Sequence, residues 1–262
     1  TVFAAEMIII NGIIGLCLLI GGLKHREQSF SLDGVSASLT VLVAISVLTL
    51  ILPNFTTSIA GPFYSSKQLA FVAIVSLVLY GTFLAMQNIR HKDHFVAKDE
   101  VVSHGHAGKP SNKIAWISAG LLLVALSAVV LLAEALAPEI EEGVAAAGAP
   151  KSIVGIIIAM VVLLPEGIAS LQAARKNKLQ ASLNLALGSA LASIGLTIPT
   201  VAFVSIYMGL PLTLGIDTKS TVLFLLSLFV IMLSLKTGKT TLLQGVVLLV
   251  IFAVYLFTTI VP

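Results

Sequence analysis

Between Val161 and Pro199 the chain reads VVLLPEGIASLQAARKNKLQASLNLALGSALASIGLTIP, and one carboxylate, Glu166, stands inside an apolar run long enough to cross a bilayer. A charge at the bilayer centre costs roughly 2.5–3.5 kcal/mol on insertion scales, and folding gains nothing from it. The reading that follows is an ion or proton pathway. Pro165 precedes Glu166; proline has no N–H and frees the carbonyl of Val161. In the next apolar segment Gly188, Gly195 and Pro199 weaken the helix, and Pro199 frees the carbonyl of Gly195. Ser182, Ser189, Ser193 and Thr197 follow i, i+7, i+11, i+15, a hydroxyl stripe at helical period. Carboxylate, hydroxyl and carbonyl oxygens are the donors that hard cations take, about six to eight for Ca²⁺. The same carboxylate can instead hold a proton, and mutually exclusive occupancy of one group is the simplest chemistry of an antiporter. Taken alone, the small residues of the stripe are equally ordinary packing between membrane helices.

The elements that would position these groups are spanning helices. The mean hydropathy is +1.07. Hydrophobic residues make up 58% of the chain and charged ones 10%, against about 25% charged in a soluble domain. This is a polytopic all-α membrane bundle, with the bilayer as its solvent. Eight apolar segments are long enough to span: about 2–23, 34–53, 68–88, 114–136, 152–173, 180–208, 220–235 and 241–261. The polar stretch 89–113 divides them four and four. Of the loop cations, Lys24, Arg26, Arg90, Lys92, Lys98, Lys109, Lys113, Arg175, Lys176, Lys178, Lys236 and Lys239 fall on one side, and only Lys67, Lys151 and Lys219 on the other. The positive-inside rule places the first set in the cytoplasm and both ends of the chain outside, with the acidic loop 138–142 also outside. The net charge of +3 belongs to these short loops and does not imply a nucleic-acid partner. The single Cys17 lies within a span and permits no internal disulfide. Residue 1 is Thr and the chain enters its first span at once, which reads as a fragment or a processed product.

Other groups read as structural. Glu6 and Glu134 lie near span ends and are expected at the outer interface; Asn11 with Gly12 and Gly15 forms a small polar packing face. His91, His94, His104 and His106, with Asp93, Asp99 and Glu100, could sense cytoplasmic pH, but their spacing matches no zinc pattern and reads as a solvated loop. Residues 235–240, LKTGKT, resemble a phosphate loop only superficially: Leu233 stands where the first glycine belongs. All five histidines lie in loops, and one deep acid makes no aspartyl pair, so neither an enzyme nor a resident cofactor is expected.

The stretch LPEGIASLQAARKNKLQASLNLALGSALASIGLTIP resembles the second α-repeat of the calcium/cation antiporter superfamily, most closely the bacterial calcium/proton exchangers. Glu166, Lys176-Asn177-Lys178-Leu179 and Leu187-Gly188-Ser189-Ala190 match the family pattern in order and spacing. The resemblance continues through HGHAGKPS at 104–111 and TGKTTLLQGVVLLVIFAVYL at 237–256. It implies a secondary transporter of two inverted repeats, sited in the bacterial inner membrane. Glu166 would bind Ca²⁺ or H⁺ alternately, and Ser189 would line the cation site beside Ser193. The sodium/calcium branch has hydroxyls before its Pro-Glu and an Asp at the position of Ser193. Here Val162 and Leu163 stand before Pro165, which favours a proton as the coupling ion, with Na⁺(K⁺)/H⁺ exchange or a non-transporting membrane partner as alternatives. Residues 1–88 correspond to the remainder of a first repeat, 89–113 to a cytoplasmic His-rich loop and 114–262 to the second repeat. The first repeat's own Glu has no counterpart, so an N-terminal half carrying it is an expected partner.

A cysteine at Asn177, in a Cys17→Ser background, should resist membrane-impermeant thiol reagents in intact cells. Ready labelling there would reverse the orientation of every helix.

Overall fold

The computed structural model describes residues 2–59, 61–90, 112–148, 150 and 152–261, apart from some side chains between 89 and 134. The His-rich loop and its four histidines lie outside the described residues, as does the side chain of Glu134. Among the described residues eight helical rods follow one another: α1 (Val2–His25), α2 (Leu32–Phe55), α3 (Ser66–Asn88), α4 (Asn112–Ala146), α5 (Ser152–Arg175), α6 (Leu179–Met208), α7 (Thr218–Leu235) and α8 (Leu242–Ile260). All but α4 are established as long and apolar enough to cross a membrane. The expected fourth span, 114–136, lies within the 35 residues of α4.

Helix α6 is the axis of the bundle. Leu183, Leu187, Leu191 and Ile194 are fully enclosed, and Ala186, Ala190 and Ala202 let neighbouring helices approach. It packs on α1, α2, α3 and α5. The first and last spans pack directly on each other. A side chain on Gly245 would collide with the backbone nitrogen of Leu19 and lie 2.8 Å from the Gly15 carbonyl oxygen. One on Gly22 would sit 2.7 Å from the Leu242 backbone nitrogen. Two short strands, β1 (Glu27–Ser29) and β2 (Lys239–Thr241), then clasp the same two helices as an antiparallel pair. The phosphate-loop look-alike thus ends in a strand, with Gly238 turning at φ +70°.

Among the described residues, the basic loops at 24–26, 175–178 and 236–239 gather at one end of the bundle. Lys24 Nζ and His25 Nε2 meet the Arg175 carbonyl oxygen at 3.0 and 3.1 Å. Gln28 Nε2 donates to the Ala174 carbonyl (3.0 Å) and to Asn177 Oδ1 (2.9 Å). Asn177 itself adopts φ 61°, the left-handed conformation that Asn tolerates at a helix C-terminus. This explains the KNK turn: it stops α5, reverses the chain and offers an acceptor to β1. It also makes Lys176, exposed and without the positive φ of Asn177, the less disruptive cysteine position for labelling.

Two expectations are corrected. The acidic segment 138–142 is not a loop but part of helix α4, which runs on through Pro138. Pro165 and Pro199, read as weak points, lie inside α5 and α6, which continue through them. The irregular turns fall elsewhere, as π-helix at Ile8–Ile13, Val47–Ile51 and Met86–Arg90. Nor is Glu6 interfacial. It is 0% exposed, enclosed within the bundle.

Gly245→Ala should lower the stability of the detergent-solubilised protein by about 1–3 kcal/mol, the range for overpacking a close contact. Gly81→Ala, where a new methyl meets nothing within 4 Å, should be neutral in the same melt. A second expectation concerns Asp217, which caps α7 by accepting from the Ser220 backbone N–H at 3.2 Å. Burial acts against its charge, but the Ser220 hydrogen bonds and Lys219 outweigh it and hold the carboxyl below its ordinary range. Its stabilisation is therefore present above the unfolded-state value and is lost as pH falls through the lower folded-state value. Asp217→Ala should destabilise by about 1 kcal/mol at neutral pH, with the difference from wild type vanishing in acid.

Candidate functional site

Glu166 sits fourteen residues into α5, about 21 Å along the helix from Ser152. It is half-buried, and its Oε2 is enclosed with no hydrogen-bond partner. Leu163 behind it is buried, while Leu164 and Ile168 are exposed. The carboxylate therefore stands at the edge of the packed face of α5.

The α5–α6 hairpin sets what lies opposite. Glu166 is eleven residues before Asn177 and Ser189 is twelve after it, so on two antiparallel, packed helices they share one level. Ser193 lies one turn further from the hairpin. Gly188, Ser189 and Ser193 are half-buried, and beside Gly188 there is open space where a side chain would be. The hydroxyl stripe is not uniform. Ser182 is enclosed beside Cys17 of α1, and Thr197 is exposed. Of the helix-weakening residues, Gly195 serves close packing, since a side chain there would press on the Tyr80 ring at 3.0 Å. Pro199 is buried and Pro165 exposed. Counting from the hairpin thus puts Glu166 and Ser189 at one level of the bundle, with Ser193 one turn further on. Among the described residues no group of three His, Cys, Asp or Glu converges.

Two polar residues of α1, Asn11 and Glu6, were read as structural, and the structure gives their surroundings. Asn11 Nδ2 donates to Ser227 Oγ on α7 at 2.9 Å, and Ser227 Oγ donates to the Leu223 carbonyl at 2.8 Å. Asn11 Oδ1 is buried without a partner, as are both oxygens of Glu6. The signal for Glu6 was available: VFAAEMIII is an acid in an apolar run, the same pattern that marks Glu166. Its position near a span end concealed its depth.

Chemically, the arrangement is a lone carboxylate with an unsatisfied oxygen, a hydroxyl at its level, a second hydroxyl above and a low-dielectric surround. It can hold one cation or one proton, and it carries no nucleophile–base pair.

An all-helical membrane bundle organised around an axial helix, with an acid at mid-depth, is the architecture of a secondary transporter. The sodium/calcium exchanger protein family model matches residues 1–88 and 117–261, and the chain belongs to that family. It is 48% identical over 263 residues to the putative ionic transporter y4hA of Sinorhizobium fredii, covering 100% of this chain and 71% of that protein. It is 32% identical to the sodium-potassium/proton antiporter ChaA of Escherichia coli, covering 98% of this chain and 70% of ChaA. Among solved structures, native YfkE superposes with a TM-score of 0.72 at 16% identity, over 100% of this chain and 74% of that one. The H⁺/Ca²⁺ exchanger CAX superposes at 0.71 and 19%, over 98% and 63%. These two likenesses establish a common fold.

Proposed function

We propose that this chain exchanges Ca²⁺ for protons across a bacterial inner membrane, with Glu166 as the group that binds the two in turn. Cation/proton antiport within the sodium/calcium exchanger family is the coarse activity; the Ca²⁺ preference is the finer reading. The observation that carries it is the carboxylate of Glu166, deep in α5, with one enclosed, unpartnered oxygen and Ser189 level with it. Ca²⁺ favours an ionised carboxylate and neutral oxygens around it; a proton arriving from the opposite side displaces it. Both occupants satisfy the same oxygen, so neither binds without the other leaving. A bacterial relative named as a Ca²⁺/H⁺ antiporter, from Aphanothece halophytica, is 26% identical and supports the choice of cation. The second reading is Na⁺(K⁺)/H⁺ exchange, favoured by the higher identity to ChaA.

The test is Ca²⁺ uptake into inverted vesicles under an imposed pH gradient, using the full-length protein, repeated with Na⁺ and K⁺ as the driven ion. Glu166→Gln keeps the side chain's shape and a carbonyl oxygen but cannot ionise, and should reduce uptake to background while leaving insertion intact. Ser189→Ala should weaken cation affinity about tenfold, the loss of one oxygen to a charged ligand. Wild-type uptake by the Gln variant would remove Glu166 from this role. Uptake of Na⁺ or K⁺ without Ca²⁺ would select the second reading.

A further inference from the structure

Glu6 is the most enclosed acid among the described residues, with both oxygens unpartnered, and the exchange site leaves it unexplained. Its place can be fixed from contacts. Helices α1 and α5 run the same way, since Lys24 reaches Arg175 at their shared end. A side chain on Gly167 would come 3.4 Å from Ile13, which sets their register. Glu6, seven residues before Ile13, is then level with residue 160, six residues from Glu166 and about 9 Å along the axis. Across the α5–α6 hairpin that level is residue 194, next to Ser193.

Its direction follows from its neighbours. Phe3 lies edge-on to Phe224 of α7 and Tyr255 of α8, and Met7 meets Ser227 of α7. Ile8 borders an apolar cavity of about 250 Å³ walled by α5 and Phe252. Helix α1 packs on α6 as well, and Glu6, on the other flank of Met7 from Ile8, is left to that side. The layer holds further bare oxygens. Ser31 N–H bonds Gln180, so Ser46, fifteen residues on, is level with Gly195; Ser76 lies one turn beyond Tyr80, which packs on Gly195. Both hydroxyls are 0% exposed and unpartnered.

We propose that Glu6 is a second proton-carrying carboxylate, placed between the outer surface and Glu166, which passes protons inward by way of the Ser193 level. The proposal rests on Glu166 being the exchanging group. A proton from the outer water forms an O–H bond on the Glu6 carboxylate. That bond breaks as the proton passes to Ser193 or an intervening water, which releases its own proton toward the Glu166 carboxylate. Each oxygen gains one proton and gives one up. An axial gap of about 9 Å takes roughly three hydrogen-bonded links, which one hydroxyl and one or two waters supply. Few other titratable groups among the described residues face Glu6. Helix α5 offers Glu166 and, at the far end, Arg175; α6 offers only Tyr207 at its outer end. Helix α7 offers Lys219, whose Nζ donates to the Thr258 carbonyl; α8 offers Tyr255 against Phe3.

The experiment is exchange by the full-length protein in inverted vesicles, with lumenal pH varied at fixed external pH. Glu6→Gln should slow uptake about fivefold or more when lumenal protons are scarce, recover towards wild type when the lumen is acid, and leave the external cation KM unchanged. A merely structural role would lower the rate equally at every lumenal pH, and that result, or a wild-type profile, overturns the proposal. Dicyclohexylcarbodiimide, which attacks protonated carboxyls in apolar surroundings, gives a readout independent of transport. Peptide mapping should find Glu6 of the wild type modified, less so as lumenal pH rises; absence of labelling counts against the proposal. Failure of the underlying reading is distinguishable, since it appears as transport by Glu166→Gln.

Discussion

Hydrocarbon offers no hydrogen-bond partner, and this constraint governs the rest of the molecule. Every backbone N–H and C=O inside the bilayer must be paired within the segment, so the spans are helices and only the ends of the bundle carry strands and turns. The same constraint makes polar side chains conspicuous. Thr40, Thr49, Thr82, Thr200 and Thr258 each return their hydroxyl to the carbonyl four residues back and so vanish as polar groups. Glu6, Ser46, Ser76 and one oxygen of Glu166 do not. Polarity left unanswered, rather than polarity itself, marks Glu6 and Glu166, and Ser170 and Ser182 share it.

Precision at the site comes from the end of the bundle rather than from its middle. The left-handed Asn177 fixes the α5–α6 hairpin, and Gln28 of β1 holds that turn by its side chain. Since β1 is paired to β2, the turn beneath Glu166 and Ser189 is tied to α1 and α8 together. The levels of Glu166 and Ser189 are counted from this turn, so a shift there would be felt about 17 Å away at the carboxylate.

Much of this was legible in the sequence. Seven of the expected spans and the clustering of basic loops at one end follow from hydropathy and charge. What was not legible depends on partners distant along the chain. Pro165 and Pro199 looked like weak points because local chemistry disfavours them, yet α5 and α6 continue through both. Glu6 looked interfacial because sequence gives distance from a span's end but not how far neighbours extend over it. The β1–β2 pair joins residues 27–29 to 239–241, three residues each, too short for periodicity to register. The π-turn at Ile8–Ile13 has no compositional mark apart from Asn11 and Gly12.

The direct packing of α1 on α8 has a consequence for biogenesis. The first span leaves the ribosome more than two hundred residues before the helix that will cover Gly15 and Gly22. Before α5, α6 and α7 follow, it crosses the bilayer with Asn11 lacking Ser227 and with Glu6 lacking the enclosure of α5 and α6. Its most consequential contacts are the latest to be made, and contacts of such separation form slowly. Through most of synthesis, lipid, insertion machinery or transient neighbours must shelter those polar groups, and closure of the β-clasp marks the moment at which that shelter is no longer required.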